Sequence, residues 1–111
     1  MLLLYAVPIH GQLDTRAARL HNEAGMAYLN TGKYVAAVEM QKEAIRHDPD
    51  FTAAYYNLGT AYIHLKQYAF AKLHLLGAIA KDPSNPQAFN QLGIVYLELG
   101  KTEDAIKSFV T

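Results

Sequence analysis

The chain has 111 residues, room for one domain and too few for two independent cores. Lys+Arg is 10 and Asp+Glu is 10, a formal net charge of +0, which excludes the excess-basic face of a nucleic-acid binder and argues against attraction to anionic membrane surfaces. Without Cys there is no disulfide and no thiolate metal site, and no run approaches the roughly 18 apolar residues that span a bilayer.

Residues 1–13, MLLLYAVPIHGQL, stand apart as an apolar tail punctuated by Pro8 and Gly11. A secretory leader is disfavoured. No Lys or Arg precedes the apolar run Leu2–Val7, the run is shorter than the roughly 7–15 residues a leader uses, and no small-x-small cleavage site follows. The expectation is a tail covering apolar surface on the first helix pair or on a neighbouring molecule, or the remains of a longer parent chain.

Asp14 is placed to cap a helix over 15–30, which Thr31-Gly32 stops. Leu20, Ala24, Ala27 and Tyr28 follow the spacing of one buried stripe. A second helix over 34–46 turns Ala37, Val38, Ala44 and Ile45 inward. Asp48-Pro49 ends it, because Pro disfavours helix in the residue before it and donates no backbone bond. Asp50 is the expected cap of a third helix over 52–65, and a fourth runs over 68–80 to Asp82-Pro83. After Ser84-Asn85, Pro86 suits the first turn of a fifth helix reaching Leu99. Gly100 breaks that helix, and Thr102 caps a last one cut short at Thr111. Outside the tail, no segment alternates apolar and polar residues as a half-buried strand does.

The landmarks recur at a fixed interval. Gly25, Gly59 and Gly93 are 34 residues apart, as are Tyr28, Tyr62 and Tyr96, then Ala37, Ala71 and Ala105, then Pro49 and Pro83. A period between roughly 20 and 50 residues is the signature of a solenoid, and one helix pair cannot bury its stripe alone. The fold class is therefore all-α, with three antiparallel helix pairs stacked on one another.

On these residues the chain resembles the tetratricopeptide repeat family, whose helix–turn–helix unit carries aromatic, Leu-Gly, Tyr, Ala, aromatic, Ala and Pro landmarks. The middle copy supplies Tyr55, Leu58-Gly59, Tyr62, Ala71, Leu75, Ala78 and Pro83; the third supplies Phe89, Leu92-Gly93, Tyr96, Ala105 and Phe109. The first is looser. Ala24-Gly25, Tyr28, Ala37, Ala44 and Pro49 fit, but His21 replaces an aromatic and Gln41 a large apolar residue. The resemblance covers the chain from about Ala18 onward. It implies a right-handed α-solenoid in one domain: tail 1–13, then repeats 14–51, 52–85 and an incomplete 86–111. Gly59 and Ala71 would let the helices of a pair approach closely, with Tyr62 filling the space towards the neighbouring pair.

The resemblance also implies a function. In that family the first helices of the repeats line a concave groove that binds peptides. Here the groove face would be Arg19, Asn22, Glu23, Met26 and Asn30, then Tyr56, Asn57, Thr60 and His64, then Gln87, Asn90, Gln91, Ile94 and Glu98. It is rich in amides and nearly neutral, and Asn and Gln donate and accept at once, which suits the backbone of an extended peptide. The blander alternative is a set of solvated helix faces that need no partner. Members that hold the C-terminal carboxylate of heat-shock chaperones use a Lys–Asn, Asn, Lys–Arg set. Of the corresponding Asn22, Met26, Asn57, Gln87 and Gln91, only Asn57 fits, so a chaperone-tail clamp is not expected.

Other chemistry is not expected. His10, His21, His47, His64 and His74 contain no i, i+4 histidine pair and no HExxH arrangement, so neither a metal nor a cofactor is anticipated. A catalytic nucleophile would need a Ser or Cys beside a base, and the only serines are Ser84, in a turn, and Ser108, on the short last helix, so no catalytic residue is expected. The expected function is a non-catalytic protein–protein interaction scaffold that binds a peptide or helix in its groove. Two alternatives remain: a self-assembly module that oligomerises through open solenoid ends and the tail, and the recognition arm of a larger enzyme. Leu99, Ile106 and Phe109 leave an apolar face open at the end of the last pair, as a fragment of a longer array or a subunit contact would. The compartment is left open, with the cytoplasm slightly favoured.

Overall fold

Residues 13–110 are described by the computed structural model; the tail of residues 1–12, with the readings that fall on it, lies outside them. Six helices follow in order: α1 (Thr15–Asn30), α2 (Tyr34–His47), α3 (Thr52–His64), α4 (Tyr68–Lys81), α5 (Pro86–Glu98) and α6 (Thr102–Phe109). There is no strand among the described residues.

The ends of the helices are set by local chemistry. Asp14 caps α1, its carboxylate accepting from the Ala17 N–H at 2.9 Å, and Asn85 caps α5 through the Gln87 N–H, with Pro86 in the first turn. The turn between the helices of each pair is the same structure three times. The N–H groups of Lys33, Gln67 and Lys101 reach back to the carbonyls of Tyr28, Tyr62 and Tyr96 at 2.9, 2.9 and 2.7 Å. This is the 6→1 bond of a Schellman turn, which needs a left-handed residue just before it. Gly32 and Gly100 fill that place at φ 77°, whereas the middle copy puts Lys66 there at φ 60°. Two expected caps are not used as caps. Phe51, not Asp50, precedes α3, and Asp50 instead accepts from Lys81 Nζ at 3.1 Å; Lys101 precedes α6, whose first residue is Thr102.

Packing runs between neighbours in sequence. Each pair closes on itself, α2 packs on α3, and α4 on α5. The first helices also touch, α1 to α3 and α3 to α5, while α2 and α4 do not touch. A stack whose first helices are in contact and whose second helices are splayed curves with the first helices on the inside. Its radius of gyration is 15.8 Å, against about 13 Å for a compact domain of this length. The molecule is an elongated solenoid.

The core consists of small residues that set the spacing and a few large ones that fill it. Ala37, Ala71 and Ala105 are all fully buried, with Leu58, Leu75 and Val95 among the largest side chains excluded from water. Gly59 is where α3 meets α4: a Cβ there would stand 2.7 Å from Leu75 Cγ. Gly25 and Gly93 would meet Gln41 and Phe109 in the same way, and those partners are again 34 residues apart. The fully buried residues of α1, however, are Ala18, Asn22 and Gly25; of the expected stripe Ala24 and Tyr28 are half-buried, Tyr28 against the core, while Leu20 and Ala27 are exposed. Leu20 is 50% exposed. One period later its stripe becomes Ala54, Leu58, Ala61 and Tyr62, all buried, because α2 packs against α3 there. No described element does the same for α1.

Candidate functional site

Among the polar residues expected on the first helices, two sets are joined from helix to helix across α1, α3 and α5. Asn57 Nδ2 donates to Asn22 Oδ1 at 2.8 Å, and Asn22 Nδ2 lies 3.6 Å from Met26 sulfur. Farther along, Gln91 Nε2 donates to Thr60 Oγ1 at 3.4 Å and to the Tyr56 hydroxyl at 3.5 Å, while Thr60 Oγ1 donates to the Tyr56 carbonyl. Both bridges span 35 residues, one more than the period. A one-residue step is what reaches across from one first helix to the next.

These residues differ in how much they offer a ligand. Asn22 is buried, at 7% exposure, and its role is to hold Asn57. Asn57, Tyr56, Thr60 and Gln91 are half-buried, with amide and hydroxyl capacity left over after the bonds they make. Gln87 and Asn90 are exposed and Ile94 is half-buried, so α5 presents a more open stretch of the same face. Arg19 and Glu23 are exposed and pair with each other at 3.4 Å, a contact of small energetic weight. Arg19 also lines a cleft of about 390 Å³ with Thr15, Arg16, Asp48 and Phe51, at the start of α1.

Two expected groove residues are turned to other work. His64 lies flat on Tyr34, ring centroids 4.4 Å apart and planes 3° apart. Glu98 hydrogen-bonds Tyr68, whose phenol is held above its ordinary pKa by desolvation first and by the Glu98 charge second. Tyr34 and Tyr68 each open a second helix and are one period apart. Each clasps the end of the first helix of the next copy. Their matching spacing was visible in the sequence, but not the residue each would meet.

The first pair contains one further feature behind this face. Gln41 is fully buried against Gly25, and its Nε2 donates to the Asn22 carbonyl at 3.2 Å. Its Oε1 is buried without a partner. The side chain that replaces the usual apolar residue therefore braces the helix turn carrying Asn22.

A family model described as tetratricopeptide repeat matches residues 22–86, and a second of the same description matches 74–107. The first such domain of Spaghetti (RPAP3), solved bound to the HSP90 peptide SRMEEVD, has a TM-score of 0.85 at 29% identity, covering 87% of this chain and 77% of that one. The first domain of human RPAP3 has a TM-score of 0.82 at 28% identity, covering 86% of this chain and 75% of that one. The Arabidopsis OM64 domain, 23% identical with a TM-score of 0.85, covers 86% of this chain and 79% of its own and shares the fold. Comparison with curated proteins finds no match.

Proposed function

The chain belongs to the tetratricopeptide repeat family, and from that premise we propose that it is a non-catalytic scaffold that holds an extended peptide along the inward faces of α1, α3 and α5. The observation that carries this reading is the bridged polar row itself: Asn57 fixed by Asn22, and Gln91 fixed by Tyr56 and Thr60. Side-chain amides held in place can meet peptide backbone groups without the entropy of ordering them first. A relative of 29% identity has been solved with a peptide bound, which supports the same use of this scaffold.

The peptide class differs from that of the relative. Gln87 and Gln91 stand where a carboxylate clamp needs cations, and Met26 where it needs an amide. The groove suits a neutral segment read through its backbone, not a free acidic terminus. Selection from a displayed heptapeptide library should enrich binders on the wild-type chain and fail on the Asn57→Ala, Gln91→Ala double variant. Titration with SRMEEVD should give no saturable binding up to about 1 mM, the range of a weak encounter. Equal enrichment on both proteins contradicts the placement, and tight salt-sensitive SRMEEVD binding contradicts the ligand class.

Self-assembly is the second reading, and the exposed Leu20 and Ala27 on α1 favour it, since their periodic equivalents Ala54 and Ala61 are buried by a second helix. Light scattering during size exclusion tests it: a monomer at all concentrations removes it.

A further inference from the structure

Between the helices of a pair, beside the connection to the next pair, the first two copies are filled differently. In the middle copy Tyr55 packs on Gly77, where a Cβ would stand 3.3 Å from the ring, and Lys81 Nζ sits 5.1 Å over the same ring. One period earlier the same three positions hold His21, Glu43 and His47. All three departures are to metal-ligating side chains, and they meet in space, with one ligand atom from each within 4.8 Å of the others. Packing asks for none of them, since a Tyr, a Gly and a Lys complete the neighbouring copy. We infer that His21, Glu43 and His47 bind one divalent ion of the zinc class, clasping α1 to α2.

Two imidazoles and one carboxylate are a donor set that zinc accepts with a fourth position left for water. Tetrahedral zinc with bonds of 2.0–2.1 Å holds its ligand atoms about 3.3 Å apart. The cluster must therefore contract by about 1.5 Å at most, a distance that side-chain rotation covers. His21 Nδ1 lies 2.9 Å from the Ala17 carbonyl oxygen. That contact places the ring proton on Nδ1 and leaves the Nε2 lone pair for a metal, the usual outer support of a ligating histidine. Glu43 and His47 are four residues apart on α2 and so share one face.

Arg46 already supplies a positive charge to this cluster. Its Nη2 donates to Glu43 Oε1 at 2.7 Å and lies 3.3 Å from His47 Nε2. Its side chain is 64% exposed and can swing into water when an ion arrives. The His21 and His47 rings stack, with centroids 5.2 Å and planes 16° apart. Near-parallel rings cannot aim both in-plane lone pairs at one ion, so binding turns one ring out of the stack. Histidine-to-histidine spacing alone misses the cluster, because its local half is a Glu–His pair and its third member sits on another helix.

The test is titration of the tag-free full chain with Zn²⁺ by calorimetry and with Co²⁺ by visible absorption. One ion should bind per chain, with Kd of about 10 μM or tighter. Excess Zn²⁺ should raise the thermal midpoint by about 5 °C or more. The double variant His21→Tyr, His47→Lys installs two of the middle copy's three residues and, with its fold checked by circular dichroism, should lose at least about 10-fold in affinity. Glu43→Gln should weaken binding as well, Arg46→Ala should strengthen it, and His10→Ala should leave it unchanged. In wild-type protein, zinc should shift the imidazole NMR signals of His21 and His47 and leave those of His64 and His74 in place, a readout that needs no variant to fold. No saturation by about 1 mM Zn²⁺, unchanged affinity in the double variant, or shifts confined to other histidines would overturn the site.

Discussion

Where the helices of a pair cross, Gly59 lies against Leu75 in the middle copy and Gly25 lies against Gln41 in the first. At the left-handed turn position the order of merit reverses, with Gly32 in the first copy and Lys66 in the middle one. At the slot beside the connection to the next pair, the middle copy has Tyr55 and Lys81 where the first has His21 and His47. The two copies share a backbone and differ in which positions follow packing alone. The middle copy is apolar where apolar contact is wanted and departs only at one turn. The first copy departs at the crossing and at the slot, both times towards polar side chains that engage something specific. A solenoid tolerates this because its stability is distributed over neighbour interfaces and no single copy must be optimal.

The comparison can be broken most forcefully at Gly59. Gly59→Leu drives a side chain into Leu75, which the fully buried surroundings leave no room to move, and should destabilise the fold by about 1–3 kcal/mol in urea melts. An unchanged midpoint would mean that α3 and α4 do not cross there. The opposite sign is expected at Gln41. Gln41→Leu copies the middle repeat, removes a buried acceptor without a partner, and should stabilise by about 1 kcal/mol after the lost bond to the Asn22 carbonyl is deducted. Destabilisation in the same urea assay would show that the brace on α1 outweighs the orphaned oxygen.

A smaller gain should follow from Lys66→Gly. It relieves a left-handed backbone at a residue with a Cβ and should stabilise by about 0.5–1 kcal/mol, set against the greater freedom of Gly in the unfolded chain. Gly32→Lys should cost a similar amount, and loss of stability in both variants would contradict the shared turn. The smallest effect concerns His74, half-buried and stacked on Tyr62 with ring centroids 5.6 Å apart. Desolvation, and then the Lys42 charge, hold its pKa below the ordinary 6.5. The folded state thus binds its proton less readily than the unfolded state. Stability is retained above the unfolded value and falls as pH drops through it towards the lowered folded value. The stability difference between pH 7.5 and pH 5.5 should accordingly shrink in His74→Gln, measured by urea melts at each pH.

The helices were legible in the sequence nearly residue for residue, because the 34-residue period and the breakers at Gly32, Pro49, Pro83 and Gly100 are local signals. Contacts between copies were less so. The stripe through Leu20 has the right spacing for burial, yet spacing cannot supply the helix that would cover it. Asp50 looks like a cap, but its partner Lys81 comes from 31 residues away. Asn22, Tyr56, Asn57, Thr60 and Gln91 were legible as one polar row, and they do bridge the first helices. What the sequence could not reveal is that Asn22 is its buried support, or that His64 and Glu98 are taken up by Tyr34 and Tyr68. Such pairings depend on the angle at which one copy sits on the next.

The apolar outer face of α4, where Phe70 and Leu73 are 54% and 60% exposed, is the surface that competes with the inward polar row for a partner. Amide NMR of backbone and side chains together, during titration with a library-selected peptide, separates the two, since α4 has no Asn or Gln and is read through its backbone N–H groups. The inward-face reading predicts that the largest shifts fall on the side-chain NH₂ groups of Asn57, Gln87, Asn90 and Gln91. Shifts concentrated on α4, with those amides unmoved at saturation, would contradict it.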